Sequence, residues 1–404
     1  MMEHPVSVSQ WLLLALCWIA TSYSLIAVFA MPFFSKGQNS RRVGWTSVSV
    51  LKPLCGTEPR LYENLVTFCE QAHPCFQLLF GVCSPVDPAI GVVRRLQAAY
   101  PQCDIKLVID SRVHGRNPKV SNLINMVQWA RHEVIVLADS DIAVKPDYLD
   151  TVTAPLANID TGVVTCLYRA QSVGGFWPRV GALFINEWFA PSVRVAHAGG
   201  SRRFGFGATL ALRRTTLESI GGFETLKDCL ADDYWLAEHA RALGLNTVLS
   251  PVMVATDVIE PTFTTLWLRE MRWLRTIRSV NPSGFASLII TFTSPWLLVG
   301  ALLAAGLTSG LVGGGRADSW MALTLSISTA TGVFARVLLH ARSARISRTF
   351  WRDLPLVPLR DTLLALQWLG AVFGSHVVWR GARMSVVNRV AQTRASIVEL
   401  SDRG

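Results

Sequence analysis

Apolar positions along this chain follow two patterns. Between about residues 45 and 255, short apolar runs alternate with helical spacings, and outside that region the apolar stretches are long and almost unbroken. Trp11 to Phe34 is long enough to span a bilayer. Ala286 to Val312 and Ser319 to Leu339 predict two further spans, joined by an outer turn at Gly310 to Gly315. Thr362 to Val378 is apolar but short, with Arg360 before it and Arg380 and Arg383 after it, which predicts a re-entrant or surface-lying segment. From Met384 the tail is polar.

The alternating region predicts an α/β domain over residues 45–260 with a mostly parallel sheet. Strands are expected at Thr46 to Leu51, Gln77 to Cys83 and Ile105 to Ile109. Glu58 to Ala72 is helical, with Leu61, Leu65, Phe68 and Cys69 on one face, and Lys119 to Trp129 forms another helix. Asp87 can cap the helix that opens at Pro88. Val134 to Ala138 reads as a strand buried on both faces. Gly174 to Val195 is amphipathic and rich in aromatic residues. Arg203 to Leu212 predicts a strand with Gly205 and Gly207 inside it, where something approaches the backbone closely. A dinucleotide loop is excluded there, because Leu210 holds the third glycine position. A helix opens near Asp232 and runs to about Leu243. In Thr262 to Val280, Trp267, Leu268, Met271 and Leu274 recur at helical spacing with arginines between them, the pattern of a helix lying on a membrane.

Composition sharpens this picture. Charged residues make up 16% of the 404 residues, against roughly 25% in soluble proteins. The net charge is +10, yet the chain has no zinc-finger spacing, no RNA-binding aromatic motif and no lysine-rich tail. The arginines cluster beside apolar segments, which favours an anionic membrane face over nucleic acid. Lys36, Arg41 and Arg42 follow the first span, so the positive-inside rule puts the α/β domain in the cytosol. The eight cysteines form no C-x-x-C pair and read as small buried residues of a reducing compartment.

The candidate chemistry begins where the buried strand stops, at Asp139-Ser140-Asp141. Ligands of open α/β sheets bind beyond the carboxyl ends of the strands. Two hard carboxylates there suit Mg²⁺ or Mn²⁺ held together with a diphosphate. An ordinary strand-to-turn junction has the same composition, and acids at a helix start, as at Asp232-Asp233, are also good dipole partners. The order of the signals decides between these readings. Asp87, Asp139/Asp141, Asp232-Asp233 and then Arg269-x-x-Arg272-Trp273 resemble the D, D, D, (Q/R)xxRW series of family 2-like inverting glycosyltransferases. The words "SVLKPLCGTEPRLYENL", "DPAIGVVRRL", "NPKVSNL", "ADSDI" and "LADDYW" are similar to the ceramide glucosyltransferase group. Within that group, "VHGRNPKVSNLINM", "VVTCLYR", "GALFINEWF", "FGFGATLALRR" and "RWLRTIR" look most like the bacterial hopanoid-biosynthesis branch.

The resemblance implies a GT-A-like nucleotide-sugar domain between an N-terminal anchor (11–34) and C-terminal membrane segments (286–312, 319–339, 362–378), in a bacterial inner membrane. It implies inverting transfer of N-acetylglucosamine from UDP-N-acetylglucosamine to bacteriohopanetetrol, with glucose transfer to ceramide as the alternative. Asp233 is then the general base, and Asp139 and Asp141 hold Mg²⁺ or Mn²⁺. Pro53, Asp87, Lys119, Asp139, Arg269, Arg272 and Trp273 bind the donor. Animal ceramide enzymes carry a D-S-G type motif where this chain has Asp139-Ser140-Asp141. A processive polysaccharide synthase shares the motif series but needs more spans than this chain has. A lipid-binding protein with a degenerate transferase fold predicts loss of the acids, all of which are present.

Overall fold

The computed structural model describes residues 7–33, 46–311, 316–344, 348–374, 376–379 and 382–385. The basic flank Lys36, Arg41 and Arg42 and the polar tail beyond 385 lie outside the described residues. The α/β domain opens with β1 (Val48–Pro53), α2 (Leu61–Cys69), β2 (Phe76–Val82), α3 (Ala89–Ala99), β3 (Asp104–Ile109), α4 (Pro118–Val127) and β4 (Val134–Leu137), preceded by α1 (Val8–Phe33). It continues with β5 (Ile142–Ala143), α5 (Tyr148–Thr153), β6 (Thr161–Ser172), α6 (Phe176–Phe184), a π-turn at Ile185–Phe189, α7 (Ala190–Ala198), β7 (Leu210–Arg213), α8 (Arg214–Ser219), α9 (Asp232–Ala242) and β8 (Asn246–Val258).

The eight strands form one sheet in the order β3-β2-β1-β4-β7-β6-β8-β5. The β1–β2, β2–β3, β1–β4 and β6–β8 pairs are parallel, and β7 and β5 add antiparallel pairs. This is the mixed α/β sheet that the alternating pattern predicts. Each early strand feeds alternate side chains to opposite faces, as its pleat requires. Val48, Val50, Leu78, Phe80, Val134 and Val136 enter one core with α2 and α3. Leu51, Leu79, Ile135 and Leu137 enter the other with α4 and α9. The chain leaves β1 for β2 and β3 on one side and returns to β4 on the other. The carboxyl ends of β1 and β4 therefore border a topological switch point, where such sheets place their ligands.

The membrane-side elements are α10 (Phe263–Val280), α11 (Pro282–Ser287), α12 (Thr293–Thr308), α13 (Arg316–Ala344), α14 (Phe350–Asp353) and α15 (Leu356–Val372), then the hairpin β9 (His376–Trp379) and β10 (Ala382–Ser385). Among the described residues two helices, over Val8–Ala30 and Asp318–Ala344, are long and apolar enough to cross a membrane. A third core, with Phe184, Trp188, Met271, Leu274, Phe292 and Leu364, joins α10, α11 and α15 to the sheet domain.

Three elements differ from the sequence expectation. Ala286 to Val312 is not one helix: the chain breaks between Thr291 and Thr293, and the two parts are bent by 48°. Pro295 lies in the first turn of α12, where its missing N–H is an unused donor anyway, so a new helix starts there readily. The strand expected over 203–212 is only Leu210–Arg213, because the chain around Gly205 and Gly207 turns past the site instead of extending. The segment expected at 362–378 is α15 followed by a hairpin, and Arg360 is not its exposed flank: the residue is 1% exposed.

Candidate active site

The carboxyl ends of β1 and β4 open into a cleft of about 560 Å³. Pro53, Asp87, Lys119, Asp139, Asp141, Asp233, Arg269, Arg272 and Trp273 all line it. Every residue singled out by the motif series thus reaches one cavity, from six segments of chain.

Asp87 sits between β2 and α3. Its Oδ1 accepts the Ala89 N–H at 2.8 Å, which caps α3, and both carboxylate oxygens accept the Gly56 N–H at 3.1 Å, which fixes the loop after β1. Lys119 lies in the first turn of α4, whose N-cap Asn117 accepts the Val120 N–H at 3.1 Å. The ammonium stands 2.8 Å from Asp139 Oδ1 and 3.3 Å from Asp232 Oδ2. Burial works to lower its pKa, but Asp139, Asp232 and Asp233 overcome this and raise it, so Lys119 is a permanent cation.

The two aspartates after β4 are held differently. Asp139 faces Lys119, and Asp141 Oδ2 accepts the Thr256 hydroxyl at 2.6 Å. Burial, then the charges of Asp139 and Glu58, raise Asp141 to about 7. Below them Lys52 is fully buried, donates to the Asp139 carbonyl at 2.7 Å and lies 3.7 Å from the centre of the Phe68 ring. Burial lowers Lys52 to about 7 despite the nearby acids.

Among the described residues no group of three or more His, Cys, Asp or Glu stands ready to hold a metal alone. The residues present still fit Mg²⁺ or Mn²⁺. Such ions are commonly bound by one or two carboxylates together with substrate phosphates. Asp141 is also a carboxylate whose charge the surrounding acids oppose, and a cation would relieve that.

Asp233 opens α9. Its Oδ2 accepts the Gly207 N–H at 2.8 Å, and its Oδ1 accepts its neighbour's Tyr234 N–H at 2.8 Å. Burial and Asp232 raise it to about 6, against the pull of Lys119 and the Tyr234 N–H. The two glycines explain the short β7. A Cβ on Gly205 would stand 2.4 Å from the Asp233 carbonyl oxygen, and one on Gly207 would stand 2.9 Å from Asp139 Oδ2 and 3.2 Å from Lys119 Nζ. The close approach expected from the sequence is made by Asp233 and Asp139.

Arg269, Arg272 and Trp273 project from α10, which Thr262 caps by accepting the Thr265 N–H. Arg269 pairs with Glu260 at 2.6 Å and lies 5.0 Å from the Trp273 ring centre. Arg275 and Arg278 turn away from the cleft and donate to carbonyls of His376, Val372 and Gly374. Glu58, Tyr168, Thr256 and Glu260 line the cleft and were not named as site residues from the sequence, and Lys52 lies buried beneath it, against the Asp139 carbonyl. Lys52 carried a usable signal: it is one of six lysines and closes a strand predicted to border the site.

The model of the family described as "Glycosyl transferase family 21" matches residues 11–391. This chain belongs to glycosyl transferase family 21. Ceramide glucosyltransferase 1 of Caenorhabditis elegans is 29% identical to this family 21 chain over 229 residues, 56% of this chain and 49% of the relative. Ceramide glucosyltransferase 3 of the same organism is 27% identical over 232 residues, 56% and 50% of the two chains. The family 21 chain thus spans about half the length of the curated relatives it matches. The mannosyltransferase PcManGT from Pyrobaculum calidifontis, solved in complex with GDP-Man and Mn²⁺, covers 88% of this chain and 99% of its own at 20% identity, with a TM-score of 0.47. The family and these relatives agree with the resemblance to ceramide glucosyltransferases. They speak for that side of it and not for the hopanoid branch.

Proposed function

We propose that this transferase moves a sugar from a UDP-sugar to the hydroxyl of a membrane lipid, with inversion, at the cytosolic face of the membrane. The observation that carries this reading is the convergence of Asp87, Asp139, Asp141, Asp233, Arg269 and Arg272 on one cleft at the switch point. In the proposed reaction the acceptor oxygen bonds to the anomeric carbon from one face. The bond from that carbon to the diphosphate oxygen breaks on the other, and UDP leaves with the electron pair. Asp233 Oδ takes the acceptor's proton. Arg269, Arg272 and Lys119 are the fixed cations for the diphosphate, preorganised by Glu260 and the acid pair. Asp87 and Pro53 border the donor's nucleoside, and Trp273 packs beside the sugar or the acceptor. A Mg²⁺ or Mn²⁺ ion on Asp141 and Asp139 would neutralise charge on the leaving diphosphate. The relatives' names favour ceramide as acceptor and glucose as sugar. The acid pair Asp139/Asp141, where animal ceramide enzymes carry a D-S-G type motif, favours the second reading, N-acetylglucosamine on a hopanoid in a bacterial inner membrane.

Membranes from a heterologous host expressing the chain, given Mg²⁺ or Mn²⁺ with each pairing of UDP-glucose or UDP-N-acetylglucosamine and ceramide or bacteriohopanetetrol, test this by mass spectrometry of the lipids. Hexosylceramide is the expected product. An N-acetylhexosaminyl hopanoid supports the second reading, and no product from any pairing refutes both. Asp141→Ala is expected to lose Mn²⁺-dependent UDP protection against thermal unfolding. Full protection in that variant removes Asp141 from the metal site.

A further inference from the structure

The cleft's cation-bearing helix is fastened to a membrane-side helix by buried charge. Glu270, the residue after Arg269, is 0% exposed. Its Oε2 accepts Arg360 Nη1 of α15 at 2.8 Å and Gln367 Nε2 of the same helix at 2.8 Å. Arg360 Nη2 donates to Gln367 Oε1 at 2.6 Å, which closes a three-membered cluster. The Arg360 guanidinium also lies 5.5 Å from the centre of the Phe184 ring, and that ring stands 5.6 Å from the ring of Trp273. Glu270 Oε1 makes no hydrogen bond and stands 4.0 Å from Arg269 Nη2. Arg360 therefore reaches the R-x-x-R-W motif from two sides, through Glu270 between its arginines and through Phe184 beneath its tryptophan.

A buried ion pair is a poor device for stability, since desolvation consumes much of the Coulombic gain and apolar side chains can pack equally well. It is a good device for register. Any rotation of α10 against α15 would leave Glu270 and Arg360 buried and unpaired, so only one setting of the helix satisfies both. We propose that Glu270, Arg360 and Gln367 are positioning residues: they hold α10 at the rotation that aims Arg269 and Arg272 into the cleft. The inference rests on the reading of that cleft as the site of a nucleotide diphosphate.

The test uses the full chain in nanodiscs, with UDP affinity measured calorimetrically in Mn²⁺ and the KM for the sugar donor measured beside it. Arg360→Met is expected to weaken UDP binding and raise the donor KM by roughly tenfold or more, because ångström-scale misplacement of such groups costs orders of magnitude. Arg360→Lys keeps the charge but loses the two-pronged contact, so it shifts the same way by less and serves if the methionine variant does not fold. The charge-reversed pair Glu270→Arg with Arg360→Glu recovers part of the affinity. Asp361→Asn is the control: it loosens a neighbouring buried cluster of α15 that does not touch α10 and leaves UDP affinity within about twofold. A folded Arg360→Met chain that binds UDP like wild type overturns the positioning role. So does an Asp361→Asn loss as large as that of Arg360→Met, which would mark a general loosening of the membrane helices. A wild-type chain that binds no UDP overturns the donor-site reading, and the inference with it.

Discussion

Two backbone donors favour the charged form of Asp233, yet burial and Asp232 hold its pKa at about 6. That combination gives a carboxylate basic enough to take a proton and still ionised at neutral pH. A base works deprotonated, so kcat should be level above pH 6 and fall about tenfold per unit below it. A pH–rate profile at saturating donor checks this, and a flat profile through pH 5 removes Asp233 as the base. Asp233→Asn should keep UDP binding and lose roughly 10²–10⁴ in turnover. The acids of the cleft were legible because carboxylates are few in this chain and their order along it is specific. Lys52 was only partly legible: its rarity marked it, but a lysine at the end of a strand also has the pattern of a solvated end. Only the packing of Phe68 and the Asp139 carbonyl around Lys52 shows otherwise.

Among the elements, α4 carries more of the site than its own Lys119. Its N-cap Asn117 is fully buried, and its Nδ2 donates to the Cys229 carbonyl at 2.9 Å and to Asp232 Oδ1 at 3.2 Å. One side chain thus starts α4 and ties it to the segment that opens α9. Asn117→Ala loses a cap worth about 1 kcal/mol and the hydrogen bonds to the Cys229 carbonyl and Asp232, at about 0.5–1.5 kcal/mol each. A lowered Tm together with weaker UDP binding is the expected result, and an unchanged Tm would refute the cap's role. Periodicity located most helices and the four parallel strands β1–β4 to within a few residues, and left β6 and β8 unnamed. It failed at β7 and at the α11–α12 bend, where long-range contacts override local pattern. The Asp233 and Asp139 side of the cleft stops β7 from extending back to Arg203. At the bend, Asp361 Oδ2 accepts the Ser294 hydroxyl at 2.6 Å and its N–H at 3.2 Å, which satisfies the start of α12.

On the scale of the whole molecule, the sheet domain and the membrane helices meet through ions that the sequence shows only as isolated charges in apolar stretches. Arg336 of α13 donates to Asp361 of α15 at 2.9 and 3.1 Å and to Glu187 of the π-turn at 3.2 Å. His340 bonds Glu187 as well, and reaches the Phe350 carbonyl at 2.9 Å. The partners of Arg336 lie 149 and 25 residues away in the chain, beyond the reach of any local pattern. Ionisable groups inside membrane segments pair and face the bundle interior, as Arg336 and His340 of the candidate span Asp318–Ala344 do. Glu187 belongs to the helical turn at 185–189, so the cluster ties that turn to α13 and α15. Arg336→Leu leaves Glu187 and Asp361 buried without their cation, a change that costs about 3–5 kcal/mol when a buried pair is broken from one side. Replacing all three by leucine removes the stranded charges and should recover much of that loss, since apolar packing can substitute for a buried pair. Thermal unfolding in a mild detergent compares the two. A triple variant no more stable than Arg336→Leu alone would mean that the cluster is required for assembly of the membrane helices and not merely satisfied within it.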